Sequence, residues 1–294
     1  MTIHISKKLQ GVDILRDTNV SINFNGYKKG LKHIGIVNLM PKKSETEAQI
    51  LSLLNNCNED LNIHFIKINT YKLEHENYKY MQLNYEDFDN VKKLLDGVIV
   101  TGAPLEKLEF KDVSYIEELN NILDYIRENK KTSLYICWGA QVALNHFYGI
   151  RKEIKNDKIF GVFSHEILKE DKILKGINSS FKSPHSRHTS LNRGDIEKNK
   201  EVELLAITDE NEEHILKGNF NDYYLLGHLE YNKDTLKEEY LRDLNKGLKI
   251  NMPKYYFKDN LVDNDIEFNW REDAIKIYSN WVSLISWIIS FYLK

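Results

Sequence analysis

Cysteine is scarce in this chain of 294 residues, which contains only Cys57 and Cys137. Two cysteines cannot build the disulfide framework of a small secreted protein, so a reducing compartment is expected. The N-terminal residues lack the long apolar stretch of a signal peptide. The longest apolar segment, from Trp281 to Leu293, is interrupted by serines and is too short to span a bilayer. We therefore expect a cytoplasmic protein, in which a free thiolate can persist.

An excess of charge of one sign is also missing. The chain has 41 Lys and Arg against 44 Asp and Glu, for a formal net charge of −3, and the two signs are interleaved. This balance gives no indication of a nucleic-acid or membrane partner. Hydrophobic residues make up 41% of the chain and charged residues 29%, which is typical of a globular protein.

Linkers, internal repeats and low-complexity segments are absent as well. A single domain over residues 1–294 is therefore the preferred interpretation, with residues 1–30 as an irregular N-terminal arm and residues 151–200 as a candidate insertion.

Strand-like and helix-like segments alternate through the first half of the chain. Compact apolar or alternating runs predict strands at 33–39, 62–69, 96–102 and 132–137, and helical spacing predicts helices at 44–56, 112–129 and 138–149. Ser44 is a candidate N-cap, with Glu47 three residues on. Further along, strands are predicted at 202–208 and 222–230, and helices at 234–247 and 274–291. This order predicts an α/β fold, a doubly wound parallel sheet with helices on both faces.

Cys137 ends an apolar strand, and Gly139 and Ala140 follow as a helix begins. Such a tight turn is typical of a nucleophile elbow, although Tyr135 stands where many elbows carry glycine. The helix N-terminus favours the thiolate, and the N–H of Trp138 is placed to donate to an oxyanion. A buried structural cysteine fits the local pattern equally well.

A thiolate nucleophile needs a base, and His228 follows another apolar run, with Glu230 two residues on. In an extended segment these two side chains face the same way, so Glu230 could hold the imidazole in its useful tautomer. In isolation, a surface loop with chance polar residues would explain the pair better. Together with Cys137, the pattern favours a Cys-His-Glu triad.

Other polar stretches carry less information. Lys42 and Lys43 follow the first strand, where ligands of parallel sheets bind, but a solvated turn is the default interpretation. The segment SPHSRH (183–188) could suggest a metal site, yet no second Cys/His cluster lies at ligand spacing, so a zinc site is rejected. Arg242 lies on a predicted helix and could pair with a substrate carboxylate. Cys57 has no catalytic context.

Six ordered motifs carry a resemblance to a known family: NLMPKKSETEAQ, VTGAPLEKLEF, ICWGAQVALN, FGVFSHEI, SPHSRH and GHLEYNKDTLKEEYLRDL. They resemble the homoserine O-acyltransferases that are related to class I glutamine amidotransferases. The resemblance runs from about residue 4 to the C-terminal region. It implies a flavodoxin-like sheet with a nucleophile elbow, and a homodimer.

The resemblance also implies roles for individual residues. Cys137 carries the acyl thioester, His228 is the general base and Glu230 orients it. Three further residues fall on substrate-binding positions, namely Lys158, Ser186 and Arg242. Leu229 stands where many members have proline, which puts only the rigidity of that loop in doubt. The substrates implied are an acyl-CoA and L-homoserine, on the route to methionine, with no cofactor and no metal.

Glu106 falls on the position that the resemblance associates with the choice of acyl group, and succinyl-using members carry glycine there. A carboxylate would repel the free carboxylate of succinyl-CoA and fill the space that a longer acyl group needs. Acetyl-CoA is therefore the expected donor, with homoserine O-succinyltransferase as the alternative. A glutamine amidotransferase-like amidase and a binding protein with a decayed site remain further hypotheses.

Overall fold

A single sheet organises the chain. The computed structural model describes residues 1–71, 75–262 and 265–286. Within them, twelve strands share the sheet: β1 (Thr2–His4), β2 (Ser21–Asn23), β3 (Lys32–Val37), β4 (Leu61–Lys67), β5 (Glu86–Asp87), β6 (Gly97–Val100), β7 (Thr132–Ile136), β8 (Lys152–Ile167), β9 (Ser180–Leu191), β10 (Glu203–Thr208), β11 (Glu213–Lys217) and β12 (Asp222–Leu225).

The sheet has a parallel half and an antiparallel half. The strand order is β2-β1-β4-β3-β6-β7-β12-β11-β10-β8-β9, with β5 beside β4. Neighbours from β2 to β12 run parallel, while β12, β11, β10, β8 and β9 pair antiparallel. The predicted doubly wound parallel sheet is thus confirmed for the first half, and the sheet as a whole is mixed.

Helices cover both faces of the sheet. Nine are described: α1 (Gln10–Ile14), α2 (Lys43–Leu54), α3 (His75–Asn84), α4 (Phe88–Val91), α5 (Ile116–Glu128), α6 (Trp138–Tyr148), α7 (Arg193–Lys198), α8 (Thr235–Asn245) and α9 (Arg271–Leu284). In α5 the buried residues are Leu119, Ile122, Leu123 and Ile126, the spacing of one helical face. The predicted terminal helix extends to residue 291, and its last residues lie outside the described part.

Two hydrophobic cores follow from this layering. One contains apolar side chains of α2 and α9, packed on one face of the sheet. The other contains side chains of α5, α6 and α7 on the opposite face. A third, smaller cluster lies under α8 and includes Phe160, Tyr231 and Trp270. Among the helices described, none combines the length and the apolar character needed to cross a membrane.

Three local predictions are wrong. The N-terminal arm is not irregular, because β1 and β2 add short parallel strands beside β4 and α1 packs on α2. Ser44 is not the N-cap, because α2 begins one residue earlier, after Lys42. Glu47 makes no capping box and instead accepts hydrogen bonds from Gly11 N–H (2.8 Å) and from Tyr85 Oη (2.7 Å).

Residues 151–200, the candidate insertion, supply the long hairpin of β8 and β9 and helix α7. This hairpin continues the same sheet.

Candidate active site

A strained turn presents Cys137 at the carboxyl edge of the sheet. Cys137 joins β7 directly to α6 with φ 48° and ψ −113°, a conformation that residues other than glycine rarely adopt. Gly139 makes the turn sterically feasible, because a Cβ there would lie 2.5 Å from the carbonyl oxygen of Thr101. Strain of this kind is typical of a nucleophile elbow, as the sequence predicted.

His228 follows β12, the strand that pairs with β7, so it reaches the same edge as Cys137. The predicted strand 222–230 ends early, at Leu225, and residues 228–231 form a turn with Tyr231 N–H donating to His228 O (3.2 Å). The expected contact nevertheless exists: His228 Nδ1 lies 2.6 Å from Glu230 Oε1. A turn, and not an extended segment, brings the two side chains together.

The electrostatics of the pair favour a charged imidazole. Burial alone would lower the pKa of His228, but the Glu230 carboxylate and Cys137, which also hydrogen-bonds the ring, raise it well above its usual value. The side chains of His228 and Glu230 are only 3% and 4% exposed. Since Nδ1 is held by Glu230, Nε2 is the nitrogen that remains for the sulfur. The arrangement suits a thiolate–imidazolium pair.

The floor of the site is shaped by Gly102, which follows β6. A Cβ there would lie 3.3 Å from Cys137 Cβ and 3.4 Å from His228 Cε1, so a larger residue would crowd both groups. The hydroxyl of Thr101 fixes this turn by accepting from Leu39 N–H (2.8 Å) and donating to Gly102 O (3.1 Å).

Trp138 is the first residue of α6, so its backbone N–H lacks an intrahelical acceptor at the end of the helix next to Cys137.

A small cleft opens next to Tyr231, which follows His228 and Glu230 in the chain. Its walls come from the segment after β3, from α2 and from α8, and they include Lys42, Tyr231, Glu239 and Arg242. The ring of Tyr231 stacks on the ring of His228, with 4.2 Å between their centroids, so the cleft borders the His228–Glu230 pair. Arg242 pairs through Nε with Asp243 (2.7 Å) and keeps further N–H donors on a side chain that is 45% exposed.

Glu239 joins the predicted substrate-binding residues. Its carboxylate accepts hydrogen bonds from Ser186 Oγ (2.5 Å) and Tyr231 Oη (2.8 Å), and Lys158 Nζ lies 3.5 Å away. Glu239 is not among the residues predicted from the sequence. The available signal was its spacing, three residues before Arg242 on one face of a predicted helix.

Lys42 and Lys43 differ in environment. Lys42 lines the cleft and pairs with Glu45 (2.7 Å), whereas Lys43 is buried and donates to the carbonyl oxygen of Asn38 (2.7 Å). Burial lowers the pKa of Lys43 to about 7.

Glu106 lies in the loop after β6, and that loop is held by Lys152, whose Nζ donates to the Glu106 carbonyl oxygen (2.6 Å). The charge of the Glu106 carboxylate acts on the pKa of His188, which lies two residues after Ser186 on β9. Residues i and i+2 of a strand share a face, so His188 lies on the same face of β9 as Ser186.

Three buried histidines come together next to Gly227, the residue before His228. His165, His185 and His214 lie on β8, β9 and β11, and potential ligand atoms of all three fall within 4.8 Å of one another. Sequence spacing could not show this group, because its members come from three different strands. Arg187 Nε donates to His185 Nδ1 (3.3 Å), so in neutral His185 the proton sits on Nε2, which is then no metal ligand. The donor set therefore fits a hydrogen-bonded cluster better than a metal centre.

The sequence comparisons agree on one family of acyltransferases. A profile of the family described as homoserine O-succinyltransferase matches residues 2–289. A homoserine O-acetyltransferase of Bacillus cytotoxicus is 41% identical, and homoserine O-acetyltransferase 1 of Ilyobacter polytropus is 40% identical. In both cases 96% of each chain is covered.

Comparison of folds gives glutamine amidotransferases. One from Thermotoga maritima superposes with a TM-score of 0.60 at 12% identity, covering 88% of this chain and 100% of the other. One from Methylobacillus flagellatus gives 0.58 at 9% identity, covering 88% and 96%. Similarity at these identities concerns the fold alone, and it agrees with the amidotransferase-like sheet that was predicted.

Proposed function

The chain belongs to the homoserine O-succinyltransferase family, and from this premise we propose that it is a homoserine O-acetyltransferase acting in methionine synthesis. The proposed reaction moves an acetyl group from acetyl-CoA to the hydroxyl of L-homoserine. The observation that carries the proposal is the strained Cys137 elbow in hydrogen-bonding contact with the buried His228–Glu230 pair.

The first half-reaction forms an enzyme thioester. The Cys137 thiolate attacks the carbonyl carbon of acetyl-CoA, and the carbon–sulfur bond to coenzyme A then breaks. The proton on His228 passes to the departing coenzyme A thiolate, which leaves a neutral imidazole. Because the nucleophile must remain a thiol, the reaction belongs in a reducing compartment such as the cytoplasm.

The second half-reaction transfers the acetyl group. Neutral His228 takes the hydroxyl proton of homoserine, and the oxygen attacks the thioester carbonyl carbon. The Cys137–acetyl bond breaks, which restores the thiolate and the imidazolium. In both steps the N–H of Trp138 and an amide near Gly102 and Ala103 are the proposed donors to the oxyanion.

Homoserine carries a carboxylate and an ammonium group, and the cleft offers a partner for each. Arg242 can bind the carboxylate in a bidentate manner. Glu239 presents a carboxylate to the ammonium group and is itself held by Ser186 and Tyr231. Lys158, close to Glu239, limits the negative charge of this corner.

The choice of acetyl over succinyl rests on Glu106 and on the relatives. The Glu106 carboxylate in the loop after β6 acts on the pKa of His188, two residues after Ser186, which supports a position near the acyl group, where it would repel a second carboxylate. The names of the similar proteins, homoserine O-acetyltransferases, support the same choice.

The test compares initial rates with acetyl-CoA and succinyl-CoA for the wild type and Glu106→Gly, with Glu109→Gly as the control in the same loop. We expect the wild type and the control to prefer acetyl-CoA, and Glu106→Gly to shift toward succinyl-CoA by at least about tenfold, or 1.4 kcal/mol. Preference of the wild type for succinyl-CoA would refute the proposed donor.

Glutamine hydrolysis is a second candidate, because the fold resembles glutamine amidotransferases. Ammonia release from glutamine, without acyl transfer from acetyl-CoA, would favour this alternative.

A further inference from the structure

The backbone that carries His228 is held by three consecutive amide donors. Leu226 N–H continues the strand ladder by donating to His214 O (2.8 Å). Gly227 N–H then donates to the side chain of the same residue, His214 Nδ1 (3.1 Å). His228 N–H donates to Pro184 O (2.7 Å) on β9. The antiparallel half of the sheet thus fixes the residues that lead into the base.

Packing leaves little freedom at this point. A Cβ on Gly227 would lie 2.8 Å from His214 Cε1, 2.8 Å from Pro184 O and 2.9 Å from His185 Nε2. Such contacts are shorter than side chains tolerate, so the histidine cluster surrounds the Gly227 backbone closely. The pairing of β11 with β12 ends at Leu225. At Gly227 the acceptor is therefore a side-chain atom, His214 Nδ1, and no longer a backbone oxygen.

The cluster specifies the protonation of each ring. Arg187 can only donate, so His185 Nδ1 accepts and its Nε2 carries the proton. That Nε2 lies 2.9 Å from His165 Nε2, which must then accept. His214 Nδ1 accepts from Gly227, so its proton sits on Nε2. Burial keeps all three rings neutral, since it lowers the pKa of His165 to about 3 and those of His185 and His214 well below the usual value.

We propose that His214 is a positioning residue for the catalytic base: its Nδ1 holds the Gly227 amide, and Arg187, His185 and His165 form the buried cluster around it. This inference rests on the proposed role of His228. A misplacement of the base of the order of 1 Å costs up to about a hundredfold in rate. Apart from Tyr231, the cleft proposed to bind homoserine is lined by the segment after β3, by α2 and by α8, so its affinity for homoserine should change much less.

The test uses two substitutions of His214. His214→Asn keeps an acceptor near the position of Nδ1, and His214→Leu replaces the ring by an apolar side chain of similar size that cannot accept. We expect His214→Leu to lower kcat by about 10- to 100-fold with KM values within twofold, and His214→Asn to recover most of the loss. His146→Leu, at a partly exposed histidine of α6, is the control and should match the wild type.

A second readout does not depend on activity or on the variants. Nitrogen-15 NMR of histidine-labelled wild type should show the His214 ring neutral, with Nδ1 unprotonated and Nε2 protonated. A protonated Nδ1, equal losses in the Asn and Leu variants, or wild-type kcat in His214→Leu would overturn the proposal. So would a stoichiometric metal ion whose removal changes the three histidine signals.

Failure of the proposed function is distinguishable, because it would appear as no acetyl transfer to homoserine by the wild type. Failure of the proposed role of His228 would appear as wild-type activity in His228→Asn, whatever His214 does.

Discussion

Replacing Glu230 by glutamine tests the charge that orients the base. The substitution keeps the size and an acceptor oxygen, but it removes the negative charge that lies 2.6 Å from His228 Nδ1. Both side chains are almost fully buried, so water cannot replace the lost charge. Breaking a buried pair by removing one partner costs about 3–5 kcal/mol. At 1.36 kcal/mol per decade, kcat/KM should fall by a factor between about 10² and 10⁴.

The substitution also changes the ionisation of the site. Glu230 raises the pKa of His228, so its removal shifts loss of the imidazolium to lower pH. The Cys137 thiolate then loses its partner at neutral pH, and alkylation by iodoacetamide should become slower there. Cys57 will not confuse the assay, because it is buried and its pKa is raised to about 12 by burial.

The assay combines steady-state kinetics with alkylation rates between pH 5 and 9. Glu128→Gln, at an exposed carboxylate at the end of α5, is the matched control and should match the wild type. Thermal unfolding of both variants establishes that they are folded. If Glu230→Gln retains kcat/KM within threefold of the wild type, or alkylates at the same rate at pH 7, the assignment of Glu230 is wrong.

Three further substitutions test other parts of the account. Gly139→Ala should destabilise the protein by about 1–3 kcal/mol, because the new Cβ would lie 2.5 Å from the Thr101 oxygen, and an unchanged Tm would contradict the elbow packing. Arg242→Lys should raise KM for homoserine by about 10- to 100-fold through loss of bidentate binding, with acetylation of the enzyme by acetyl-CoA unchanged; an unchanged KM would exclude Arg242 as the carboxylate ligand. Burial raises the pKa of Asp222 to about 6, so its ionisation opposes folding above that pH and has no effect below its unfolded pKa near 4. Asp222→Asn, which can still accept from Ser133, should therefore raise stability at pH 8 by up to about 3 kcal/mol but not at pH 3.5, and an equal effect at both pH values would contradict this.

The parallel half of the fold was predictable because each element carries its own periodic signal. Buried parallel strands appear as continuous apolar runs, and α5 and α6 carry clear helical spacing. Cys137 could be found for the same reason, since the elbow is local in sequence. His228 and Glu230 were paired correctly, but for the wrong reason: a turn, which sequence alternation does not reveal, brings them together.

The antiparallel half was harder to predict. The 16-residue strand β8 begins with the polar run KEIKNDK, much of it exposed, so its first half lacks an apolar face. The strands β1 and β2 have three residues each, too few for any period to be seen, and they exist because β4 offers an open edge to pair with. Glu239 and the histidine cluster depend on contacts between elements distant in sequence, which no local pattern encodes.

The central claim is that Cys137 carries the acyl group between the two substrates, and intact-protein mass spectrometry tests it most directly. Wild-type protein mixed with acetyl-CoA alone should gain one acetyl group, located on Cys137 by peptide mapping, and should lose it when homoserine is added. Cys137→Ala should gain none, while Cys57→Ala should behave as the wild type. Acetyl transfer to homoserine by Cys137→Ala at the wild-type rate would contradict the account.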